Sequence, residues 1–165
     1  MKRLSLIFFA CVLALSIAVP AADAQDLAAQ MNTVLSQAPA AKFWQVTPDE
    51  VKAMIDSKKA DFLIVDVRPS PAMYQAGRIP GAIYIPVQDI FKPENIKKLP
   101  KDKKIVLVCV TGQTQNLPVV ALRALGYNAM TMQLGMAAWN KDSMGVGVIR
   151  GLLQGAETKN YPLEK

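Results

Sequence analysis

The chain has 165 residues, 52% of them apolar, and carries 19 basic against 13 acidic side chains for a net charge of +6. It contains no histidine and two cysteines, which removes every Ser-His-Asp, Cys-His and His-ligated metal or haem site, and any four-sulfur zinc or iron–sulfur cage supplied by this chain alone. Carboxylate, lysine or lone-thiol chemistry stays open, in one domain with a core of ordinary size.

Lys2 and Arg3 open the chain, Leu4 to Val19 form an uncharged apolar run, and Ala22-Asp23-Ala24 puts small residues at the positions a signal peptidase reads. Residues 1–24 therefore read as a cleavable signal peptide of an exported, periplasmic bacterial protein. The run ends at Pro20, short of the roughly 20 apolar residues that span a bilayer, so membrane association is expected only if the signal is retained. Cleavage removes Cys11 and leaves Cys109 as the single thiol. No disulfide within the mature chain is then possible, and Cys109 is a buried inert residue, half of an intermolecular pair, or a reactive thiol.

Residues 25–42 are rich in Ala, Gln and Ser and read as a frayed helix or arm leading into a domain over 43–165. Thr47-Pro48-Asp49-Glu50 is a helix start, with a hydroxyl cap, proline at the first helical position and acids in the first turn; the helix is expected to reach about Ser57. Phe62-Leu63-Ile64-Val65 is a continuous apolar run of the kind buried on both faces of a parallel sheet, closed by Asp66-Val67-Arg68-Pro69. A short helical piece at Pro71 to Gln75, a turn-rich Gly77-Arg78-Ile79-Pro80-Gly81-Ala82, and a short strand Ile83 to Pro86 follow. Residues 87–100 form a polar, helix-like connection.

Ile105-Val106-Leu107-Val108 is the strongest strand pattern, with Cys109 at its carboxyl end. After the turn Val110 to Thr114, Leu117, Val120, Ala121, Ala124 and Leu125 recur at helical spacing before Gly126, and Ala129 to Met132 is a last strand. The alternation gives an α/β domain with a mainly parallel central sheet flanked by helices, whose site lies at the carboxyl ends of the strands, where Asp66 and Cys109 both stand. A strand-to-helix turn there offers inward backbone N–H groups and the positive end of the next helix, which stabilise a thiolate or a bound oxyanion without histidine. Lysines at 58–59, 97–98, 101 and 103–104 read as a solvated face. No aromatic residues interleave with them, so nucleic acid is not an expected partner.

Asp66-Val67-Arg68, then Gly77 to Ala82 with Ile85-Pro86, then a strand ending in Cys109-Val110-Thr111-Gly112-Gln113-Thr114, then Leu122 to Tyr127 and Ala138-Trp139, resembles a single-domain rhodanese-like sulfurtransferase from about Phe43 to Trp139. The resemblance implies a sheet flanked by helices and a six-residue loop, Cys109 to Thr114, that cradles a persulfide. Cys109 is then the catalytic nucleophile. Val110, Thr111, Gly112, Gln113 and Thr114 bind the charged sulfur, and Asp66, Arg68 and Arg78 support them. The implied partners are a small sulfur donor such as thiosulfate, polysulfide or a persulfide, and a thiol, cyanide or protein acceptor, with no metal or organic cofactor.

Two departures stand out. The sixth loop position, usually arginine in thiosulfate-using members, is Thr114, which offers no cationic fork to a dianion. About twenty residues between Asn140 and Asn160 separate Ala138-Trp139 from the closing Tyr161-Pro162, and read as a flexible flap or a small helix beside the site. Arg150 in that insert is a candidate for the missing cation, against its reading as a solvated side chain. Asp66 with Arg68 reads as a structural ion pair ahead of a catalytic pair, Phe62 and Trp139 as core, and the methionines as core rather than copper ligands. The alternative function is a catalytically weak rhodanese-like domain that binds an anion, a sulfur carrier or a partner protein. Thiol oxidoreductase or arsenate chemistry on Cys109 needs an external reductant, because the mature chain has no second thiol.

Overall fold

The computed structural model describes residues 21–164; most of the segment read as a signal peptide lies outside the described residues. Five strands form one sheet: β1 (Gln45–Val46), β2 (Phe62–Asp66), β3 (Ile83–Tyr84), β4 (Lys104–Val108) and β5 (Asn128–Met132). Their order is β1-β5-β4-β2-β3 and every pairing is parallel. The helices are α1 (Ala21–Leu35), α2 (Pro48–Asp56), α3 (Pro71–Ala76), α4 (Pro93–Ile96), α5 (Val119–Ala124), α6 (Met136–Trp139) and α7 (Met144–Lys159). With all strands parallel, every carboxyl end reaches the same edge of the sheet, and the loops there converge.

The apolar run of β4 is explained by its central place. Ile105 and Leu107 pack into one buried cluster with Val65, Val119 and Leu122, while Val106 and Val108 pack into another with Ile64, Val51 and Met132. A strand covered on both faces has no polar side to show, so the alternation that marks a half-exposed strand is missing. Helix α2 begins as its sequence requires. The Thr47 hydroxyl accepts from the Glu50 N–H at 3.1 Å, and the Glu50 carboxylate accepts from the Thr47 N–H at 2.7 Å, a reciprocal capping box.

Four elements differ from the sequence reading. The segment read as a frayed helix or arm contains a packed rather than frayed helix of 15 residues against α5, with Gln30 Nε2 donating to the Ala124 carbonyl and Val34, Ala38 and Trp44 joining the core. Two-residue β1 lies immediately before the Thr47 cap and is too short to leave a pattern. Around α5 the buried residues are Val119 and Leu122, while Leu117 and Leu125 are exposed. A 3₁₀ turn at Thr114–Asn116 and Pro118 at the cap delay the helix, which rotates its inner face away from the expected one. Finally, the insert is a helix rather than a flap, and a longer one than expected. Most of it is α7, with 16 residues, capped by the Ser143 hydroxyl accepting from the Gly145 N–H at 3.2 Å.

Candidate functional site

Cys109 follows β4 directly and is buried, with 1% of its surface exposed. Its backbone is held on both sides. The Cys109 N–H donates to the Gln115 side-chain carbonyl at 2.7 Å, and the Cys109 carbonyl accepts from the Met136 N–H at 2.8 Å. Gln115, itself 1% exposed, also donates through Nε2 to the Met132 carbonyl, so one side-chain amide ties the loop to the end of β5. The next carbonyl, of Val110, accepts from the Ala137 N–H at 3.0 Å. The first two carbonyls of the loop are thus committed to the start of α6.

With its carbonyls drawn off, the loop has amides to spare. The Gly112 N–H donates to Cys109 Sγ at 3.2 Å. Among the described residues, the amides of Val110, Thr111, Gln113 and Thr114 donate to no protein acceptor. A run of successive backbone N–H groups without acceptors is an anion-binding concavity. The turn depends on glycine. Gly112 has φ +87°, and a Cβ there would stand 2.8 Å from the Leu134 Cα; at Gly135, φ +54°, a Cβ would run into the Cys109 carbonyl. The expected helix N-terminus is not part of this arrangement, because the loop passes into a 3₁₀ turn and α5 starts only at Val119. The site therefore draws its polarity from loop amides.

The neighbouring strand end is built from side chains instead. Arg68 donates through Nε to both Asp66 carboxylate oxygens, at 2.9 and 3.0 Å, through Nη2 to one of them at 2.6 Å, and through Nη2 to the Gly77 carbonyl at 2.6 Å. Both residues are buried, Asp66 at 2% and Arg68 at 6% exposure. Tyr84, which pairs with Asp66 in the β2–β3 register, has a buried hydroxyl without a hydrogen-bond partner among the described residues. Loss of water and, after it, the Asp66 and Asp89 carboxylates raise its phenol pKa above the ordinary 10.0, with Arg68 opposing.

A groove of about 690 Å³ runs beside the loop, and Arg68, Arg78, Val110, Met136, Trp139 and Asp142 are among the residues that line it. Arg78 is exposed and its guanidinium lies 4.7 Å from the Tyr74 ring centroid. Arg150 is elsewhere. It is exposed and lines a separate groove with Leu134, Ile149 and Leu153, so the cations beside the thiol loop come from the β2 and β3 sides. Thr114 is exposed and opens the 3₁₀ turn, as does Gln113 before it. Met132 and Met136 are buried in the core, Phe62 and Trp139 are half-buried against it, and Met144 is exposed.

Two parts of the site left no mark that the sequence reading used. Gln115 is a polar residue beyond the expected loop, and only the fold shows it buried between two strand ends. Gly145 lies in the insert, where nothing local marks its role. In the fold it lets α7 sit on the loop, since a Cβ there would meet the Val110 carbonyl and the Ala137 side chain.

The family model described as Rhodanese-like domain matches residues 47–142. The chain is 35% identical over 105 residues to a Mycobacterium tuberculosis protein named "Probable adenylyltransferase/sulfurtransferase MoeZ", a match covering 63% of this chain and 26% of that protein. It is 30% identical over 87 residues to a protein of Allochromatium vinosum named "Sulfurtransferase", covering 52% of this chain and 78% of that one. Among solved structures, a rhodanese-like domain protein from Staphylococcus aureus superimposes with a TM-score of 0.52 at 32% identity, over 58% of this chain and 90% of that one.

Proposed function

The chain belongs to the rhodanese-like domain family, and from that premise we propose that it is a sulfurtransferase carrying sulfane sulfur on Cys109. The observation that carries the reading is the short loop whose Gly112 N–H reaches the Cys109 sulfur while four further amides have no acceptor among the described residues. Such a loop holds a negative sulfur by fixed dipoles, with no reorganisation at the moment of reaction.

The Cys109 thiolate attacks the outer sulfur of a hydropersulfide R–S–SH. A Cys109–sulfur bond forms, the donor's S–S bond breaks, and R–S⁻ leaves, giving Cys109–S–SH. A second thiolate then takes the outer sulfur and returns Cys109 as thiolate. No metal, cofactor or net oxidant enters either step. The thiol is buried, so donor and acceptor approach along the groove past Val110. Thr114 leaves the loop without a cation, which disfavours the thiosulfate dianion against donors of lower charge. The amino-terminal segment directs the protein to the periplasm.

Incubation with thiosulfate and, separately, with inorganic polysulfide, followed by intact mass, tests the reading. A gain of one sulfur atom that is larger with polysulfide and absent in Cys109→Ala supports it. No gain with either donor favours instead a domain that binds an anion or a partner without turnover.

A further inference from the structure

The groove beside the loop carries one cation and one anion that are not spoken for. Arg68 is neutralised by Asp66, but Arg78 and Asp142 form no ion pair with each other or with any other described residue. They come from different elements, Arg78 from the turn between α3 and β3 and Asp142 from the link between α6 and α7, and they open on the same cavity. The same cavity is lined by the apolar Met73, Met136, Trp139 and Met144, and by the uncharged polar Asn140 and Ser143 beside Asp142. Opposite charges that share a cavity without meeting are complementary to a ligand bearing both.

Resting on the sulfur-transfer reading, we infer that the preferred donor or acceptor is a zwitterionic organic thiol compound: an α-amino-acid-type hydropersulfide, or the thiol that receives sulfur from Cys109. Its carboxylate meets the Arg78 guanidinium, its ammonium meets the Asp142 carboxylate, and its methylene stem lies on Trp139 and the methionines. The reacting sulfur is thereby aimed at Val110 and the loop. Arg78 suits the carboxylate because its planar fork accepts both oxygens, and the Tyr74 ring beneath it limits its swing. In this arrangement α7 has a purpose as well. Its packing on the Val110 carbonyl through Gly145 fixes the Asp142–Met144 side of the groove relative to the thiol.

The step balances as before: Cys109–S⁻ and R–S–SH give Cys109–S–SH and R–S⁻, where R carries the ammonium and carboxylate. A free amino acid and a peptide with an amino-acid head share this chemistry. The hydropersulfides of cysteine and glutathione distinguish them, since only the first puts both charges next to the sulfur.

The test is the rate of Cys109 loading, followed by intact mass, from cysteine hydropersulfide (zwitterion), glutathione hydropersulfide (charges remote from the sulfur), N-acetylcysteine hydropersulfide (anion), cysteamine hydropersulfide (cation) and 2-mercaptoethanol hydropersulfide (neutral). In the full chain the zwitterion should load with the lowest KM. Arg78→Met should lower the preference for the zwitterion and the anion over the neutral donor by about fivefold, and Asp142→Asn should do so for the zwitterion and the cation, the size expected of exposed ion pairs. Arg78→Lys should restore part of the preference. Both side chains are exposed, and circular dichroism checks that each variant is folded. Loading that ignores donor charge, or preferences unchanged in both variants, overturns the inference alone. No loading from any donor overturns the sulfur-transfer reading and this inference with it.

Discussion

Two strand ends lie side by side in the middle of the sheet, β2 at Asp66 and β4 at Val108, in register and joined by the Val67 N–H donating to the Val108 carbonyl at 2.9 Å. Both lead into polar loops, yet they are finished in opposite ways. After β2 the charges are closed on themselves. Arg68 and Asp66 satisfy one another in the interior, and the surplus donor goes to Gly77. After β4 the polar groups are backbone amides, most of them with no acceptor, gathered beside a thiol. A closed set of charges holds structure, whereas an open set of donors is ready for a charge that arrives with a substrate.

Mutation should separate the two ends cleanly. The largest effect falls at β4. Cys109→Ser should abolish release of thiocyanate from cyanide, a loss of at least about a thousandfold for removal of a covalent nucleophile, while thermal unfolding moves little. Asp66→Asn should do the reverse. It strands a buried guanidinium and should cost about 3–5 kcal/mol in denaturant unfolding, whereas Asp66→Leu combined with Arg68→Leu should recover much of that stability. If Asp66→Asn left stability unchanged and stopped sulfur loading, the contrast between the two ends would collapse.

Gly112→Ala tests whether the backbone of the β4 loop is itself the working part. The forced left-handed φ and the approach to Leu134 should cost about 1–3 kcal/mol, and the displaced amide should slow loading about a hundredfold, the lower end of the effect of removing one oxyanion donor. Gln115→Leu should cost about 1–3 kcal/mol by leaving the buried Cys109 N–H and Met132 carbonyl without their partner.

The smallest effect is at Tyr84, on the β2 side. Its phenol, raised by loss of water and by Asp66 and Asp89, keeps its proton in the fold where the unfolded chain has lost it. That contribution is intact below 10.0 and fades as pH rises through the folded value, so stability should fall in alkali more steeply in the native protein than in Tyr84→Phe. In an ultraviolet titration the component that Tyr84→Phe removes should ionise above the ordinary tyrosine value of 10.0.

The same contrast explains what the sequence made legible. The ends of β2 and β4 were readable because a doubly buried parallel strand needs an unbroken apolar run, and such a run stops abruptly at Asp66 or Cys109. The Thr47 cap was readable because capping is local, four residues acting on each other. Features that depend on distant partners were not. Val119 and Leu122 replace Leu117 and Leu125 as the inner face of α5 because of a turn that forms only when the loop is closed. Gln115 matters through bonds to Cys109 and Met132, the second of them 17 residues away. Arg150 is a candidate cation because its insert reads as lying beside the site, but α7 places it in another groove, while Arg68 and Arg78 come from the neighbouring β2 and β3 side.

The central claim is that the β4 end stores one transferable sulfur on Cys109. It is tested most directly by loading the protein with polysulfide, removing excess donor, adding cyanide and counting thiocyanate released per chain. The account predicts one thiocyanate per loaded chain from the native protein and none from Cys109→Ser, although the buried Asp66–Arg68 pair is intact in both. Thiocyanate released equally by the two proteins, or by neither, would contradict it.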